Sequence, residues 1–539
     1  MQTLSPTAFA DAVRRRRTFA IISHPDAGKT TLTEKVLLFA GAVGEAGAVK
    51  SRRTARAARS DWMALEQERG ISISSTVLHF AYGDHRFNLL DTPGHADFSE
   101  DTYRTLCAAD AAVMVLDIAK GLEPQTLKLF KVCAERGLPI VTFVNKCDRP
   151  GLPPLGLLDE ITTQIGMEPV PLTWPVADGG DFAGIVDRRT GELHRYDGTE
   201  RGARRGTAVT EPFATADPGS CPPDRWQAAA EELELLDLEE RSLDEKRFLA
   251  GEQTPVFFGS ALQNFGVQLL LEGFADLAPS PGPAVVDEPA DRDTQPVEAP
   301  FSGQVFKVQA NMNPRHRDRV AFVRVNSGVF ERGMSATLAR TGRSYQLKYA
   351  HQLFAADRNT VDVAVAGDIV GLVNATDLVP GDTLYADDAV RFPPIPTFSP
   401  ERFAAVRSTD TKRYKQFRRG LVQLDEEGVI HVLRRPEFGD TEPILAGVGQ
   451  LQFEVAEHRF VHEFGCPVRM EPLAWEIARR IDAAAVDPLR GQFKTLVVTD
   501  SHGRHMALFA SPVALEKAER DHPDIDFEPL GTGLARRVV

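Results

Sequence analysis

Four short strings of polar residues and glycines carry the chemistry that this sequence suggests. The first runs from Ser23 to Thr30 and reads Ser-His-Pro-Asp-Ala-Gly-Lys-Thr. In such a loop Gly28 lets the backbone approach an anion closely, Lys29 reaches β- and γ-phosphates, and Thr30 offers a hydroxyl to Mg²⁺. Amides at the start of the following helix add to the attraction for negative charge. The string therefore predicts a nucleotide phosphate site.

The first string departs in one place from the usual phosphate-loop pattern, which has glycine where this chain has Ser23. Its context is the required one. An apolar run precedes it, and Leu32, Val36 and Phe39 follow at the spacing of one helix face. Strand, tight loop and helix in this order favour a nucleotide site over a chance match. The predicted phosphate-binding residues are Ser23, His24, Pro25, Asp26, Ala27, Gly28, Lys29, Thr30 and Thr31.

Three further strings supply what the rest of a guanine nucleotide needs. In Asp-Thr-Pro-Gly-His, the Asp91 carboxylate would hold Mg²⁺ through water and the Gly94 amide would sense the γ-phosphate. In Asn-Lys-Cys-Asp, Asp148 accepts from guanine N1–H and the 2-amino group, a donor pair that adenine lacks. The backbone of Ser-Ala-Leu contacts the base O6. The residues predicted at these strings are Asp91, Thr92, Pro93, Gly94, His95, Asn145, Lys146, Asp148, Ser260, Ala261 and Leu262.

A magnesium site is predicted from three oxygen-bearing side chains, Thr30, Ser72 and Asp91. Ser72 supplies a hydroxyl where a second direct ligand would be needed. By itself a loop serine more often bonds only to local backbone, and that alternative stays open from the residues alone.

The elements that must position these strings are strands of a doubly wound α/β sheet. Each string follows an apolar run, and ligands bind at the carboxyl ends of the strands in such sheets. The ordered set of strings indicates a P-loop GTPase domain. The predicted strands before the strings are 19–22, 86–90, 140–144 and 255–258, and a further strand is predicted over 111–116.

The strings around 23–42, 61–72 and 89–106 resemble those of the translational GTPases, in particular the members that act in termination. The resemblance implies that GTP and GDP bind with Mg²⁺. It also implies that His95 is catalytic, positioning the attacking water, and that Ser72 replaces the usual threonine while keeping its hydroxyl. The family's phosphate loop commonly begins with a residue other than glycine, which accounts for Ser23. The implied partners are the ribosome, through rRNA and proteins of both subunits, and the codon-reading release factors.

The function expected from this resemblance is ribosome-stimulated GTP hydrolysis in translation termination, promoting release and recycling of the codon-reading peptide release factors. The chain contains no Gly-Gly-Gln string, so we do not expect it to cleave peptidyl-tRNA. The enzymatic alternative is an elongation-factor-G-like translocase, but about 70 residues after Met470 are too few for that family's two further domains. A non-hydrolysing scaffold and a signalling GTPase unconnected with translation are two further interpretations.

Composition shifts divide the chain into several domains. The 112 positions from Asp148 to Ser260 exceed what a compact GTPase fold needs, so we expect an inserted subdomain. Beyond a proline-rich linker, short glycine-punctuated segments predict an antiparallel β-barrel, followed by a split-βαβ, ferredoxin-like α+β pattern. The expected domains are 1–282 (GTPase, with an insertion at about 155–253), 283–299 (linker), 300–391 (barrel) and 397–539 (C-terminal α+β).

Overall composition predicts a cytoplasmic protein. The 539 residues include 42% apolar residues, which is enough for ordinary cores. The formal net charge of −14 argues against a protein that coats nucleic acid everywhere. Five scattered cysteines without a C-x-x-C pair predict reduced thiols. Because no apolar run approaches the length of a membrane span, we expect no membrane partner. We also expect no DNA partner.

Four basic stretches leave two interpretations open, a solvated surface or a contact with a polyanion. The second stretch has a further interpretation as a mobile switch over the γ-phosphate. The stretches are the arginine run 14–17, the segment 50–59, the loop 309–319, and Arg413, Lys415, Arg418 and Arg419 on a helix predicted over 411–426.

Overall fold

The computed structural model describes residues 5–42, 66, 72–196, 208–239, 241–289, 292–310, 319–354, 357–395, 398–435 and 442–530. The predicted switch at 50–59 lies outside these residues, as does most of the basic loop 309–319.

The GTPase part of the chain is built on a seven-stranded sheet that contains all the strands preceding the predicted strings. Every residue of its central strand, Ala111–Asp117, is buried, as expected for a parallel strand covered by helices on both faces. The strands from here to the end of the GTPase part are β1 (Arg16–Ser23), β2 (Thr76–Tyr82), β3 (His85–Asp91), β4 (Ala111–Asp117), β5 (Ile140–Asn145), β6 (Glu168–Pro171), β7 (Thr173–Val176), β8 (Gly184–Asp187), β9 (Glu192–Tyr196), β10 (Ala208–Pro212) and β11 (Gln253–Phe258).

The strand order of this sheet is β2-β3-β1-β4-β5-β11-β6, with only β2 antiparallel to its neighbour. This is the doubly wound arrangement that the sequence predicts. The α-helices that the structure describes in the GTPase part are α1 (Pro6–Arg14), α2 (Lys29–Phe39), α3 (Ser99–Leu106), α4 (Pro124–Glu135), α5 (Pro154–Ile165), α6 (Pro223–Leu238), α7 (Glu245–Leu249) and α8 (Val267–Leu277).

The inserted segment forms its own antiparallel sheet, in the order β10-β9-β8-β7. Helix α6 packs against it, and Trp174 Nε1 donates to Glu232 Oε2 at 3.0 Å. Strand β6 lies within the expected insertion, yet it pairs in parallel with β11 and so belongs to the central sheet.

The run of four arginines spans the end of helix α1 and the start of strand β1. Arg16 and Arg17 belong to the strand, so they do not form part of a solvated helix face. Strand β1 begins at Arg16, three residues before the apolar run that predicted it. Arg16 Nε donates to Asp368 Oδ1 of the barrel at 2.8 Å, and Arg17 is buried with its Nη1 donating to the Arg14 carbonyl at 2.7 Å. The charges of Arg16 and Arg17 thus contribute to structure inside the protein.

The predicted barrel is an eight-stranded antiparallel sheet in the order β18-β17-β23-β14-β15-β22-β19-β20, wrapped around one apolar cluster. A short ladder joins β16 to β21, and another joins β12 to β13 in the linker. The strands are β12 (Ala284–Val285), β13 (Thr294–Gln295), β14 (Ser302–Ala310), β15 (Arg319–Ser327), β16 (Val329–Glu331), β17 (Ser335–Leu338), β18 (Arg343–Gln346), β19 (Ala350–Phe354), β20 (Asp357–Thr360), β21 (Val363–Val365), β22 (Ile369–Val373) and β23 (Thr383–Tyr385).

The C-terminal part contains two four-stranded antiparallel sheets. The first has the order β25-β26-β24-β27 with two helices packed on it, which is the predicted split-βαβ arrangement. The second has the order β29-β30-β28-β31 and its own helix. The elements are β24 (Arg402–Ser408), α9 (Tyr414–Glu426), β25 (His431–Leu433), β26 (Ile444–Gly447), α10 (Gln450–His462), β27 (Val468–Leu473), β28 (Ile477–Arg480), β29 (Thr495–Thr499), β30 (His505–Phe509), α11 (Pro512–Asp521) and β31 (Glu528–Pro529).

The sequence predicts a single α+β unit over 397–539. In the structure this segment contains two sheets, each with its own helix or helices and its own apolar cluster. An apolar cluster that includes Phe403 of the first sheet and Met506 of the second joins them. Backbone hydrogen bonds between Arg434 and Thr499 add an edge contact. Among the helices that the structure describes, none combines the length and apolar character needed to cross a membrane.

Buried charges fasten the GTPase part to the barrel. Lys307 of β14 is 4% exposed, and its Nζ donates to Ser74 Oγ, Ser75 O and Ser75 Oγ at 2.7–2.8 Å and to Asp101 Oδ2 at 3.2 Å. Burial lowers the pKa of Lys307 from its usual value, with the Asp101 charge opposing this effect. Lys307 of the barrel thus holds two parts of the GTPase domain together, namely Ser74–Ser75 and helix α3.

Helix α3 also contacts the C-terminal part. Glu100 pairs with Arg104 on the same helix, and its Oε2 lies 3.0 Å from His431 Nε2. Burial alone would raise the pKa of Glu100, but the charges of Arg104 and His431 lower it to about 2. Burial alone would lower the pKa of His431, and the Glu100 carboxylate instead raises it. The contact is therefore an ion pair when His431 is protonated.

Replacing His431 by glutamine should lower the free energy of unfolding more at acidic than at alkaline pH. Because the pKa of His431 is raised in the folded protein, the stabilisation is complete below about 6.5, the usual histidine pKa, and is lost as pH rises through the raised value. Urea unfolding of both proteins between about pH 5.5 and 9 tests this, since Glu100 stays ionised throughout. A difference between the two proteins that does not shrink with rising pH would contradict the ion pair.

Candidate nucleotide-binding site

Residues from all four predicted strings meet at a cavity of about 320 Å³ at the carboxyl edge of the central sheet. The strands β1, β3, β5 and β11 deliver them there, because parallel strands end at the same edge. The lining residues are Ser23, His24, Pro25, Asp26, Gly28, Lys29, Thr30, Thr31, Ser72, Gly94, His95, Asn145, Lys146, Asp148, Arg149 and Leu262.

The phosphate loop has the conformation that an anion site requires. Gly28 has φ 95°, in the left-handed region, and stands immediately before helix α2. A Cβ atom there would lie 2.4 Å from Asn145 Nδ2, so only glycine fits. Asn145 Nδ2 donates to the Ala27 carbonyl at 2.7 Å. The base-side string thereby holds the phosphate loop in place.

Lys29 lies at the centre of the phosphate end. It is 5% exposed, and its Nζ donates to Asp91 Oδ1 at 2.5 Å. Gly94 is next to the same loop, close enough that a Cβ would lie 3.6 Å from Pro25 Cα. A buried cation and a glycine backbone therefore face the space where a phosphate chain would lie.

The three predicted metal ligands come from separate segments and lie at this same end. Thr30 Oγ1 and Ser72 Oγ are 3.4 Å apart. Asp91 is 2% exposed, and its Oδ2 is buried with no hydrogen-bond partner among the described residues. Hydroxyl and carboxylate oxygens are hard donors that suit Mg²⁺, which keeps several waters and uses few protein ligands. The donor set fits this ion.

The base end is organised by Asn145 and Lys146. Asn145 Oδ1 accepts from the amides of Ala261 at 2.8 Å and Lys146 at 2.9 Å. Lys146 has φ 70°, and its Nζ donates to Asp117 Oδ2 at 2.7 Å and to the Asp26 carbonyl at 2.6 Å. Burial would raise the pKa of Asp117, but the hydrogen bond from Lys146 lowers it overall. These bonds tie three of the four strings together.

Asp148 is left with an unused acceptor at this end. Its Oδ1 is buried and has no hydrogen-bond partner among the described residues. A buried carboxylate oxygen in that condition costs free energy unless a ligand donates to it. The N1–H and 2-amino group of guanine are donors of this kind, so the atom fits a guanine base.

His95 lines the cavity between the phosphate loop and solvent, with its side chain 37% exposed. Its Nδ1 accepts from the Asp97 amide at 3.2 Å. Nε2 is then the ring nitrogen left for a water molecule. The position fits the predicted role in orienting water.

Some predicted residues do not line the cavity with their side chains. The His24 ring is buried against α4, with Nδ1 3.3 Å from Thr126 Oγ1 and Nε2 3.1 Å from Glu123 Oε2, and burial lowers its pKa. The predicted residues that are absent from the lining altogether are Ala27, Asp91, Thr92, Pro93, Ser260 and Ala261, of which all but Pro93 are less than 3% exposed.

Sequence reasoning missed two residues at the site. Arg149 lines the cavity, and its only sequence signal is its position directly after Asp148. Asp117 orients Lys146, and it could have been found as the polar residue that ends the apolar strand β4.

Comparison with protein families divides the chain as the fold does. Residues 14–280 match the family described as elongation factor Tu GTP binding domain, and residues 300–387 match elongation factor G domain 2. Residues 392–519 match class II release factor RF3, C-terminal domain. A phosphate-loop GTPase domain followed by this barrel defines a translational GTPase, which hydrolyses GTP.

Full-length relatives narrow the class. Peptide chain release factor 3 of Symbiobacterium thermophilum is 49% identical, covering 96% of this chain and 98% of its own. The protein of the same name from Acaryochloris marina is 47% identical over 98% of both chains. A crystal structure of a Thermus thermophilus protein aligns with TM-score 0.66 at 26% identity, covering 84% of this chain and 67% of its own. The chain belongs to the peptide chain release factor 3 family, whose members are GTPases of translation termination.

Proposed function

We propose that this chain is stimulated by the ribosome to hydrolyse GTP and thereby promotes release and recycling of the codon-reading release factors. The observation that carries the GTP part is the pair of buried, unpartnered carboxylate oxygens among the described residues, Asp148 Oδ1 at the base end and Asp91 Oδ2 at the phosphate end. The release factor 3 match at 392–519 supports the termination role over that of an elongation-factor-G-like translocase.

The proposed contacts follow from the geometry of the cavity. The Ser23–Thr31 segment and Gly94 would surround the phosphates, Asp148 would bind the guanine edge, and Lys146 would lie along the base with Asn145 bracing both ends. The Ser260–Leu262 loop would reach the base through Leu262, the member that lines the cavity.

Magnesium, when bound by Thr30, Ser72 and through water by Asp91, would neutralise charge on the phosphates. Lys29 would exchange its contact with Asp91 for contacts with the β- and γ-phosphates. The Asp91 carboxylate would then be free to bind the water ligands of the metal. His95 would orient the attacking water. Since its ring is more than a third exposed, we expect the ribosome to complete the site by enclosing it.

The proposed ribosome contacts include the basic side of helix α9. Lys415, Arg418 and Arg419 are exposed on this helix and Arg413 is exposed in the turn directly before it, as expected for side chains that meet RNA phosphates. We also propose that 1–282, 300–391 and 397–539 act as the functional domains, with the boundaries that the sequence suggests.

Recycling of a codon-reading release factor from terminated ribosomes tests this function. We expect the chain with GTP to speed departure of the bound factor, and we expect GTP hydrolysis to rise strongly when ribosomes are added. A parallel reaction with a non-hydrolysable GTP analogue separates binding from hydrolysis. Equal, negligible hydrolysis with and without ribosomes would instead leave a nucleotide-binding scaffold.

A further inference from the structure

Asp97 connects the cavity to the C-terminal part of the chain. It lies in a 3₁₀ turn, Ala96–Phe98, directly after His95. Its Oδ1 lies 3.2 Å from His95 Nδ1, and its Oδ2 accepts from the Leu451 amide at 2.7 Å. Leu451 is the second residue of helix α10 and lies 354 positions further along the chain. One carboxylate thus spans the two parts of the molecule.

The residues around Asp97 pack closely against the start of helix α10. Gly449 precedes α10, and a Cβ atom there would overlap the Asp97 carboxylate. Next to it, the buried side chains of Ile73, Phe98 and Val455 form an apolar cluster from both parts of the protein. The start of α10 also favours a negative charge, because its free amides and helix dipole attract an anion. The Asp97 side chain is 16% exposed, so the contact is largely shielded from water.

We propose that Asp97 is a positioning residue for His95 and that the docked C-terminal part sets the orientation of the histidine through it. The backbone amide of Asp97 donates to Nδ1 of the ring, and the side chain of the same residue is anchored on α10 through the Leu451 amide. Movement of α10 relative to the central sheet therefore moves Asp97 and His95 together. This inference rests on the proposed role of His95.

The consequence is that GTP hydrolysis depends on docking of a region outside the nucleotide cavity. A displacement of about 1 Å in a catalytic group can slow a reaction on the order of 10²-fold. We expect nucleotide affinity to be independent of this contact, because the described bonds of Asp97 go to His95 and Leu451 and not to the phosphate loop or Asp148.

A double-mutant cycle tests the inference. Under ribosome-saturating conditions we expect Asp97→Ala to lower the maximal rate of GTP hydrolysis on the order of 10-fold to 10²-fold, with GDP affinity unchanged. We expect Asp97→Ala combined with His95→Ala to be no slower than His95→Ala alone, because Asp97 acts through the histidine. Additive losses in the double variant would overturn the inference.

Two variants on the other side of the contact complete the experiment. Gly449→Ala should reproduce the lower maximal rate by displacing the Asp97 carboxylate. The matched control is His431→Gln, which breaks the neighbouring contact to Glu100 without touching Asp97. It should lower the maximal rate less than Gly449→Ala does, because Asp97 keeps its hydrogen bond to the Leu451 amide. An equal loss of maximal rate in His431→Gln would show general undocking and overturn the role of Asp97.

The same set of variants separates this inference from the proposed function. Full activity in His95→Ala would refute the proposed role of the histidine, on which the inference depends. A slow His95→Ala together with a fully active Asp97→Ala would refute the positioning role alone.

Discussion

Replacing His95 by alanine should slow ribosome-stimulated GTP hydrolysis on the order of 10²-fold or more while leaving nucleotide binding nearly intact. The reason is the division of labour at the cavity. The proposed phosphate contacts come from the loop before α2, and the proposed base contact comes from Asp148. His95 belongs to a different segment and lines the cavity next to Gly94. Loss of the imidazole would remove the group proposed to orient water and leave the binding groups in place.

The measurements are single-turnover GTP hydrolysis with saturating ribosomes and binding of a fluorescent GDP analogue. Little stability should be lost, because the ring is 37% exposed and its described polar contacts are confined to Asp97. His85→Ala is a suitable control, since His85 begins β3 at the end of the strand opposite the cavity. Undiminished turnover in His95→Ala would remove the histidine from the mechanism.

The meeting of the four predicted strings at one cavity was largely predictable from the sequence, because the determinants of each string are local. A phosphate loop between a strand and a helix, and polar strings at strand ends, are encoded within a few residues of one another. Strand pairing then brings the strings to one edge without any further signal. The separate pairs Thr30–Ser72 and Lys29–Asp91 show this, since each joins residues from different segments at hydrogen-bonding distance.

The contacts between domains were not predictable in the same way. Lys307 reaching Ser75 and Asp101, and Arg16 reaching Asp368, join residues that are hundreds of positions apart. Each of these side chains has an ordinary surface-type sequence context, and only the packing of the domains makes it buried. The same applies to Asp97, whose partner on α10 leaves no mark in the sequence near His95.

Side-chain direction was a second limit. The sequence places His24 in the phosphate loop, but its ring packs against α4, and only the structure shows that its side chain serves the fold. Ser260 and Ala261 are fully buried for the same kind of reason, because the Asn145 side chain draws the Ala261 amide inward. Motif matching identifies a segment, whereas packing decides which atoms of it reach a ligand.

Replacing Asp148 by asparagine should shift the preference from guanine to xanthine nucleotides. The carboxylate offers two acceptor oxygens to the N1–H and 2-amino group of guanine, and its Oδ1 has no other described partner. The amide that replaces it keeps one acceptor and gains a donor, which suits the 2-carbonyl of xanthine and opposes the guanine amino group. GTP affinity should fall on the order of 10²-fold or more, since the mismatch leaves buried polar groups unpaired.

Competition binding of GTP, XTP and ATP to the Asp148→Asn variant measures this shift. The matched control is Asp159→Asn, the same substitution at an exposed position of helix α5 that does not line the cavity. Ribosome-stimulated hydrolysis by the Asp148 variant should return when XTP replaces GTP, because the phosphate end and His95 are unchanged. Retained preference for GTP would contradict the base contact, and loss of all nucleotide binding with a folded protein would assign Asp148 to holding the site together instead.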